Sequence, residues 1–151
     1  MKNHVKKLFS KDDLAAITSA IHSAEKTTSG EIRVSVRQRR KWRERKLSLE
    51  QIARKEFHTL GMTKKEERTG ILIFLLVADR QFYVLADEGV HGKVEESRWK
   101  AVADGMSAHF SSRNFRQGII HGVEEVGKVL SQNFPAHKGS KDELSDEVHV
   151  S

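Results

Sequence analysis

The feature that most constrains the fold is an apolar run of eight residues, Ile71 to Ala78, bounded by Gly70 and Asp79. Its β-branched and large aliphatic side chains are typical of a strand that is covered on both faces. The next segment, Phe82 to Ala86, also favours a strand, but polar residues alternate around it, as expected near a sheet edge. The sequence therefore predicts a buried strand, a tight turn and an edge strand.

The rest of the chain is predicted to add four helices and one strand. Apolar residues recur at helical spacing in Leu14 to Ala24, Leu49 to Leu60, Trp99 to Phe110 and Phe115 to Leu130. Between the first two helices, Glu31 to Arg37 alternates apolar and polar side chains, which predicts a strand with one buried face. The order helix, strand, helix, strand, strand, helix, helix predicts an α/β fold, a small mixed β-sheet with helices on both faces.

Length and composition limit the class of protein. At 151 residues with 37% hydrophobic content, the chain suffices for one core, so we predict one domain at 1–134 and a mobile polar C-terminal tail at 135–151. The absence of cysteine excludes disulfides, thiolate catalysis and cysteine-ligated zinc. Because no apolar run reaches the length of a signal peptide or a transmembrane segment, we expect a cytoplasmic protein.

Four segments of the chain carry a resemblance to a known family. They are Thr28–Val36, Ala53–Gly61, Thr69–Gln81 and Phe115–Val123. Taken in this order, they resemble the TPM domain family, which carries a phosphatase label. The resemblance implies a three-layer α/β/α sandwich, in agreement with the predicted order of elements. It also implies an acidic ligand site at the strand ends, where some members of the family bind a divalent cation such as calcium.

The acidic residues of the predicted hairpin are the candidates for metal binding. Asp79, Asp87 and Glu88 would offer hard oxygen ligands to calcium or magnesium, with Asp104 a more distant candidate on the third helix. The alternative is that Asp79 stabilises a turn while Asp87 and Glu88 are loop charges near a helix N-terminus. Both interpretations stay open, because the spacing is not that of an EF-hand.

Two residues beside these acids are candidates for ligand binding. Arg80 would clamp a phosphate or a carboxylate with its guanidinium group. His91 would donate a proton or ligate an ion. The alternative for each is an exposed side chain of a turn or loop.

A basic stretch, residues 39–46, holds six Lys and Arg residues in eight positions. Arg39, Arg40, Trp42 and Arg43 form a candidate surface for nucleic acid or an anionic membrane, because cations neutralise phosphates and an indole can stack on a base. The alternative is a solvated connection with Trp42 folded back onto the domain.

The residues favour a protein that acts by binding a divalent cation or a protein partner, because no pair of nucleophile and base can be assembled from the sequence. The alternative is a metal-dependent phosphomonoester hydrolase, in which Asp79, Asp87 and Glu88 hold the ion and Arg80 positions the phosphate. The sequence specifies neither the substrate nor the oligomeric state.

Overall fold

The computed structural model describes residues 7–64, 67–136 and 146–151, and in these residues four strands form a mixed sheet. The strands are β1 (Glu31–Arg37), β2 (Gly70–Leu76), β3 (Gln81–Ala86) and β4 (His149–Val150). Their order is β3-β2-β1-β4. β1 runs parallel to both of its neighbours, and β3 runs antiparallel to β2. The predicted hairpin and the predicted edge position of β3 are confirmed.

Helices cover both faces of the sheet and give three layers. The helices are α1 (Lys11–Glu25), α2 (Leu49–Thr59), α3 (Glu88–His91), α4 (Glu96–Ser111) and α5 (Phe115–Asn133). Along β2, Ile71 and Ile73 pack with α1, α4 and α5, whereas Leu72 and Phe74 pack with α2 on the opposite face. The predicted α/β/α sandwich is therefore confirmed, and so is the burial of β2 on both faces.

Local hydrogen bonds explain where two of the helices begin. The hydroxyl of Ser10 accepts from the backbone N–H of Asp13, whose carboxylate accepts from the N–H of Ser10. Ser48 and Gln51 form the same reciprocal box at the start of α2. Within the described residues, no helix combines the length and the apolar character that a membrane span requires.

The prediction that β1 buries only one face is wrong. All seven residues of β1 are buried. The second face carries Ser35 and Arg37, and α2 together with a 3₁₀ turn at Trp42–Glu44 closes over it. The alternation of apolar and polar residues in β1 predicted that its polar face is exposed, because polar side chains usually face water. In the structure the polar side chains of β1 instead face other polar groups inside the protein.

The last residues of the chain add a strand that the sequence analysis did not predict. β4 pairs with Ser35 and Val36 of β1, and Val148 and Val150 pack against the main core. Residues 146–151 were expected to belong to a mobile tail, but in the structure they form backbone hydrogen bonds with the outer edge of β1. Residues 137–145 of the predicted tail lie outside the described residues.

Candidate functional site

The structure separates the acids that were predicted to share one ion. Asp79 lies in the turn before β3, and Asp87 lies immediately after β3. At about 3.3 Å per residue, a six-residue strand holds these positions roughly 20 Å apart. The structure therefore does not bring Asp79 together with Asp87 and Glu88. Asp79 instead pairs with Arg40, with Nε and Oδ2 2.6 Å apart.

Asp87 is buried and fully engaged by its neighbours. Arg68 donates to it in a fork, from Nε to Oδ2 and from Nη2 to Oδ1, each at 2.8 Å. Oδ1 also accepts from the backbone N–H of Glu88, which caps α3. The N–H of Gly89 donates to the carbonyl of Arg68, and any β-carbon at Gly89 would stand 2.4 Å from that oxygen. Because glycine has no β-carbon, the backbone of Arg68 can approach Gly89 this closely.

The side chains around Asp87 do not fit a divalent cation as they stand. No group of three His, Asp or Glu side chains among the described residues is arranged to hold a metal ion. Arg68 already supplies the positive charge at Asp87 and also approaches Glu88 at 3.3 Å. Asp104 lies on an exposed surface of α4 and pairs with Lys100. Arg68 is thus the cation paired with Asp87 in this structure, and binding of calcium or magnesium stays a prediction.

Replacing Arg68 with glycine tests this arrangement. We expect Arg68→Gly to lower the free energy of unfolding by about 1–2 kcal/mol, because the buried Asp87 carboxylate loses its charged partner. Arg68 has a φ of 56°, so glycine suits the backbone and the loss reports the side chain. Thermal unfolding measures the effect, and millimolar calcium should recover part of it.

Arg80→Gly is the matched control for that measurement. Arg80 has a similar φ of 52° but no hydrogen bond or ion pair to a described acid, so its replacement should cost little stability. Equal losses for the two variants would contradict a charge-pairing role for Arg68.

A cleft of about 420 Å3 lies beside the free side of β3, between α2 and the start of α4. Asp87, Glu88 and His91 line one end of it, so the structure does bring these three predicted residues together. The hydroxyl of Tyr83 donates to Glu50 at 2.9 Å. Burial and that hydrogen bond raise the pKa of Tyr83. The cleft thus combines apolar walls with charges of both signs.

The outer edge of β3 runs along this cleft. At the end of the hairpin, the N–H of Asp87 donates to the carbonyl of Gly70 at 2.9 Å. Because hydrogen-bonded and non-hydrogen-bonded pairs alternate in an antiparallel ladder, the backbone groups of Phe82, Val84 and Ala86 point away from β2. No strand among the described residues pairs with this edge. It is open to an added strand.

Arg80 lies elsewhere, so it does not share a site with His91. It ends the turn between β2 and β3 and lines a separate groove at that end of the sheet. Like Asp79, Arg80 is separated by the length of β3 from the acids after that strand.

The predicted polyanion surface is only partly free. Arg40 bonds Asp79 and donates to the carbonyls of Glu44 and Leu47, so it holds the segment in place. Trp42 is 75% exposed, with the Arg45 guanidinium 4.0 Å from its ring centroid, and is therefore not folded onto the core. Arg39 and Arg43 are exposed. Binding of nucleic acid or an anionic membrane stays a prediction.

Sequence reasoning missed Arg68, and it predicted the edge position of β3 without considering that a partner strand could pair there. Arg68 precedes the apolar run as one of several charged residues, and its left-handed backbone conformation leaves no mark in composition. The sequence did hold a signal for such pairing, because Gln81–Ala86 contains neither a charged residue nor proline.

Comparison with known proteins agrees with this geometry. A family profile described as the TPM domain matches residues 3–129. The NMR structure of the BA42 protein from the psychrophilic bacterium Bizionia argentinensis is 30% identical, with a TM-score of 0.87. The alignment covers 97% of this chain and 98% of that one. No curated protein matches the sequence.

Two more distant structures are similar in fold. The N-terminal domain of a P. gingivalis protein is 20% identical, with a TM-score of 0.67 over 87% of this chain and 83% of that one. The N-terminal domain of the cg2496 protein from Corynebacterium glutamicum is 14% identical, with a TM-score of 0.62 over 91% and 82%.

Proposed function

The chain belongs to the TPM domain family, and from that premise we propose that it acts by binding, with an extended segment of a protein partner added to the free edge of β3. The observation that carries the proposal is the outward row of backbone groups at Phe82, Val84 and Ala86. Such groups give a peptide main-chain hydrogen bonds without requiring a particular sequence.

The composition of β3 supports this role. Natural proteins protect a free edge with lysine, proline, an inward-pointing charge or a bulge. β3 has none of these residues and pairs with β2 in continuous register from Gln81 to Ala86. An edge left this open favours pairing with another chain.

The cleft beside β3 would supply selectivity. Side chains of an added strand alternate between the two faces of the sheet. On one face they would reach Arg54 and Phe57 of α2, and on the other Glu96 and Trp99 of α4. The indole Nε1 of Trp99, whose ring lines this cleft, is buried without a hydrogen-bond partner among the described residues.

No specific observation favours either cation binding or metal-dependent hydrolysis. Hydrolysis with metal assistance needs the ion and the phosphate clamp in one place. Asp87 is engaged by Arg68, and Arg80 lies at the other end of β3. Binding of a protein partner is therefore the function that the geometry supports best.

Selection of extended peptides from a displayed random library, using the folded chain as bait, tests the proposal. We expect selected peptides to shift the amide NMR signals of Phe82, Val84 and Ala86. N-methylation at alternate peptide positions should abolish binding, because those N–H groups would pair with β3.

Val84→Pro is the matched variant of the chain itself. It removes an outward N–H that makes no bond to β2, so the hairpin ladder should survive while peptide affinity falls at least tenfold. Val84→Thr keeps the N–H and should bind normally. Peptides that bind Val84→Pro as well as the wild type, or that tolerate N-methylation at every position, would refute strand addition.

A further inference from the structure

A larger groove lies at the hairpin end of the sheet, away from the cleft beside β3. Its volume is about 710 Å3, within the range of ligand sites, which is about 300–1,000 Å3. Its apolar lining includes Leu75, Val77, Phe82, Phe110 and Phe115. The rings of Phe82 and Phe110 meet edge to face, with centroids 5.2 Å apart, which gives the groove a firm aromatic wall.

The charges around this groove are all positive. Lys7, Arg80 and Arg113 line it, and none of the described residues that line it is acidic. Arg80 and Arg113 are exposed and have no ion pair with a described carboxylate. Other arginines of the chain, such as Arg40 and Arg68, are engaged by acids. The groove therefore presents unneutralised cations above an apolar wall.

Both arginines occupy backbone positions that favour glycine. Arg113 has a φ of 61° and follows the end of α4, where the N–H of Asn114 donates to the carbonyl of His109 and the N–H of Arg113 donates to that of Phe110. This is the left-handed cap at which glycine predominates. Arg80 has a φ of 52° at the end of the hairpin turn. The backbone conformation would favour glycine at both positions, so it does not explain why arginine is present there.

We propose that this groove binds a fatty acid, with its carboxylate between Arg80 and Arg113 and its alkyl chain against Phe82, Phe110 and Phe115. A guanidinium binds a carboxylate through paired N–H donors. Each methylene that leaves water for the apolar wall adds to the free energy of binding. The groove takes the side chain of Phe82 but neither Val84 nor Ala86, which line the cleft beside β3, so shifts at Val84 and Ala86 distinguish the proposed function from this inference.

Titration of the intact chain with decanoate, followed by amide and aromatic NMR signals, tests the proposal. We expect saturable shifts that centre on Phe82, Phe110 and Arg113. Decyltrimethylammonium has the same tail with a positive head, and it should bind at least tenfold more weakly because Arg80 and Arg113 repel it. Equal binding of the two amphiphiles, or decanoate shifts that centre elsewhere, would overturn the assignment.

The double variant Arg80→Gly with Arg113→Gly isolates the two charges. Glycine suits both backbone positions, so the variant should keep its melting temperature while decanoate affinity falls at least tenfold. Arg39→Ala with Arg43→Ala removes the same charge from another surface and should bind decanoate normally. If the glycine variant unfolds, Arg80→Gln with Arg113→Gln replaces it, with the same expected loss.

Two outcomes would decide against a fatty acid. Unchanged decanoate affinity in the charge-removing variants would show that the arginines do not hold the head group. A short acetylated peptide that ends in leucine with a free carboxylate is the second probe. If it bound this groove more tightly than decanoate, the site would be assigned to a peptide terminus instead.

Discussion

Replacing Arg37 with methionine is expected to lower the free energy of unfolding by about 3–5 kcal/mol, a large share of the roughly 5–15 kcal/mol that is typical of a folded domain. Arg37 is the last residue of β1, and its side chain is 5% exposed. Nη1 lies 2.6 Å from Glu44, and Nη2 lies 3.0 Å from Glu56. Methionine retains much of the volume but leaves two buried carboxylates without this partner.

The remaining contacts of these two acids do not offset the loss. Glu44 keeps the backbone N–H of Lys41 and an ion pair with Lys55, and Glu56 keeps the hydroxyl of Ser35. None of these replaces a buried guanidinium that bridges both carboxylates. Adding Glu56→Gln to Arg37→Met should therefore restore part of the stability, because one of the two stranded charges is removed.

Arg54→Met on α2 is the matched control, measured with Arg37→Met by urea unfolding. Arg54 pairs with Glu50 four residues before it, and both side chains are largely exposed. Its replacement should cost less than about 0.5 kcal/mol, because water screens the pair. A loss for Arg37→Met as small as that for Arg54→Met would mean that water reaches the pair beneath α2.

Replacing Glu25 with glutamine is expected to stabilise the protein at pH 7 by about 2 kcal/mol, an effect that should grow as the pH rises. Glu25 is buried at the end of α1, where its Oε2 accepts from the N–H of Ile32. Oε1 of Glu25 and Oδ1 of Asp146 are buried and accept no hydrogen bond from the described residues. Burial and the neighbouring Asp146 carboxyl raise the pKa of Glu25 to about 11.

The direction of the pH dependence follows from that pKa. The unfolded chain loses the Glu25 proton near pH 4.5, whereas the folded protein keeps it until about pH 11. Between these values the folded state binds more protons, so each increase in pH favours unfolding. The wild type should therefore lose stability relative to Glu25→Gln across this interval, while the two proteins should be similar below pH 4.5.

Chemical unfolding at a series of pH values from 4 to 9 measures the difference. Glutamine keeps an acceptor for Ile32 and offers a permanent donor towards Asp146. Glu124→Gln replaces an exposed acid of α5 and should leave the pH profile unchanged. A constant difference between Glu25→Gln and the wild type from pH 4 to 9 would contradict a retained proton.

The candidate site was predicted in part. Asp87, Glu88 and His91 follow one strand directly, so their meeting at one end of the cleft could be inferred from chain order. The structure does not bring Asp79 and Arg80 to the same end, because eight positions in sequence become the length of a strand once β3 is extended. The partner of Asp87 could not be inferred, since Arg68 reaches it through tertiary structure rather than helical or strand spacing.

The sequence by itself determined the four long helices, the hairpin, the edge position of β3 and the burial of β2, because side-chain periodicity follows directly from local backbone geometry. Only the tertiary structure decided that Arg37 meets Glu44 and Glu56 under α2, and that β4 pairs with β1. The sequence around a charged residue does not reveal which distant residue will pair with it. Its environment depends on which distant segment the fold places within a few ångströms, because the favourable energy of an ion pair falls with distance and changes with burial.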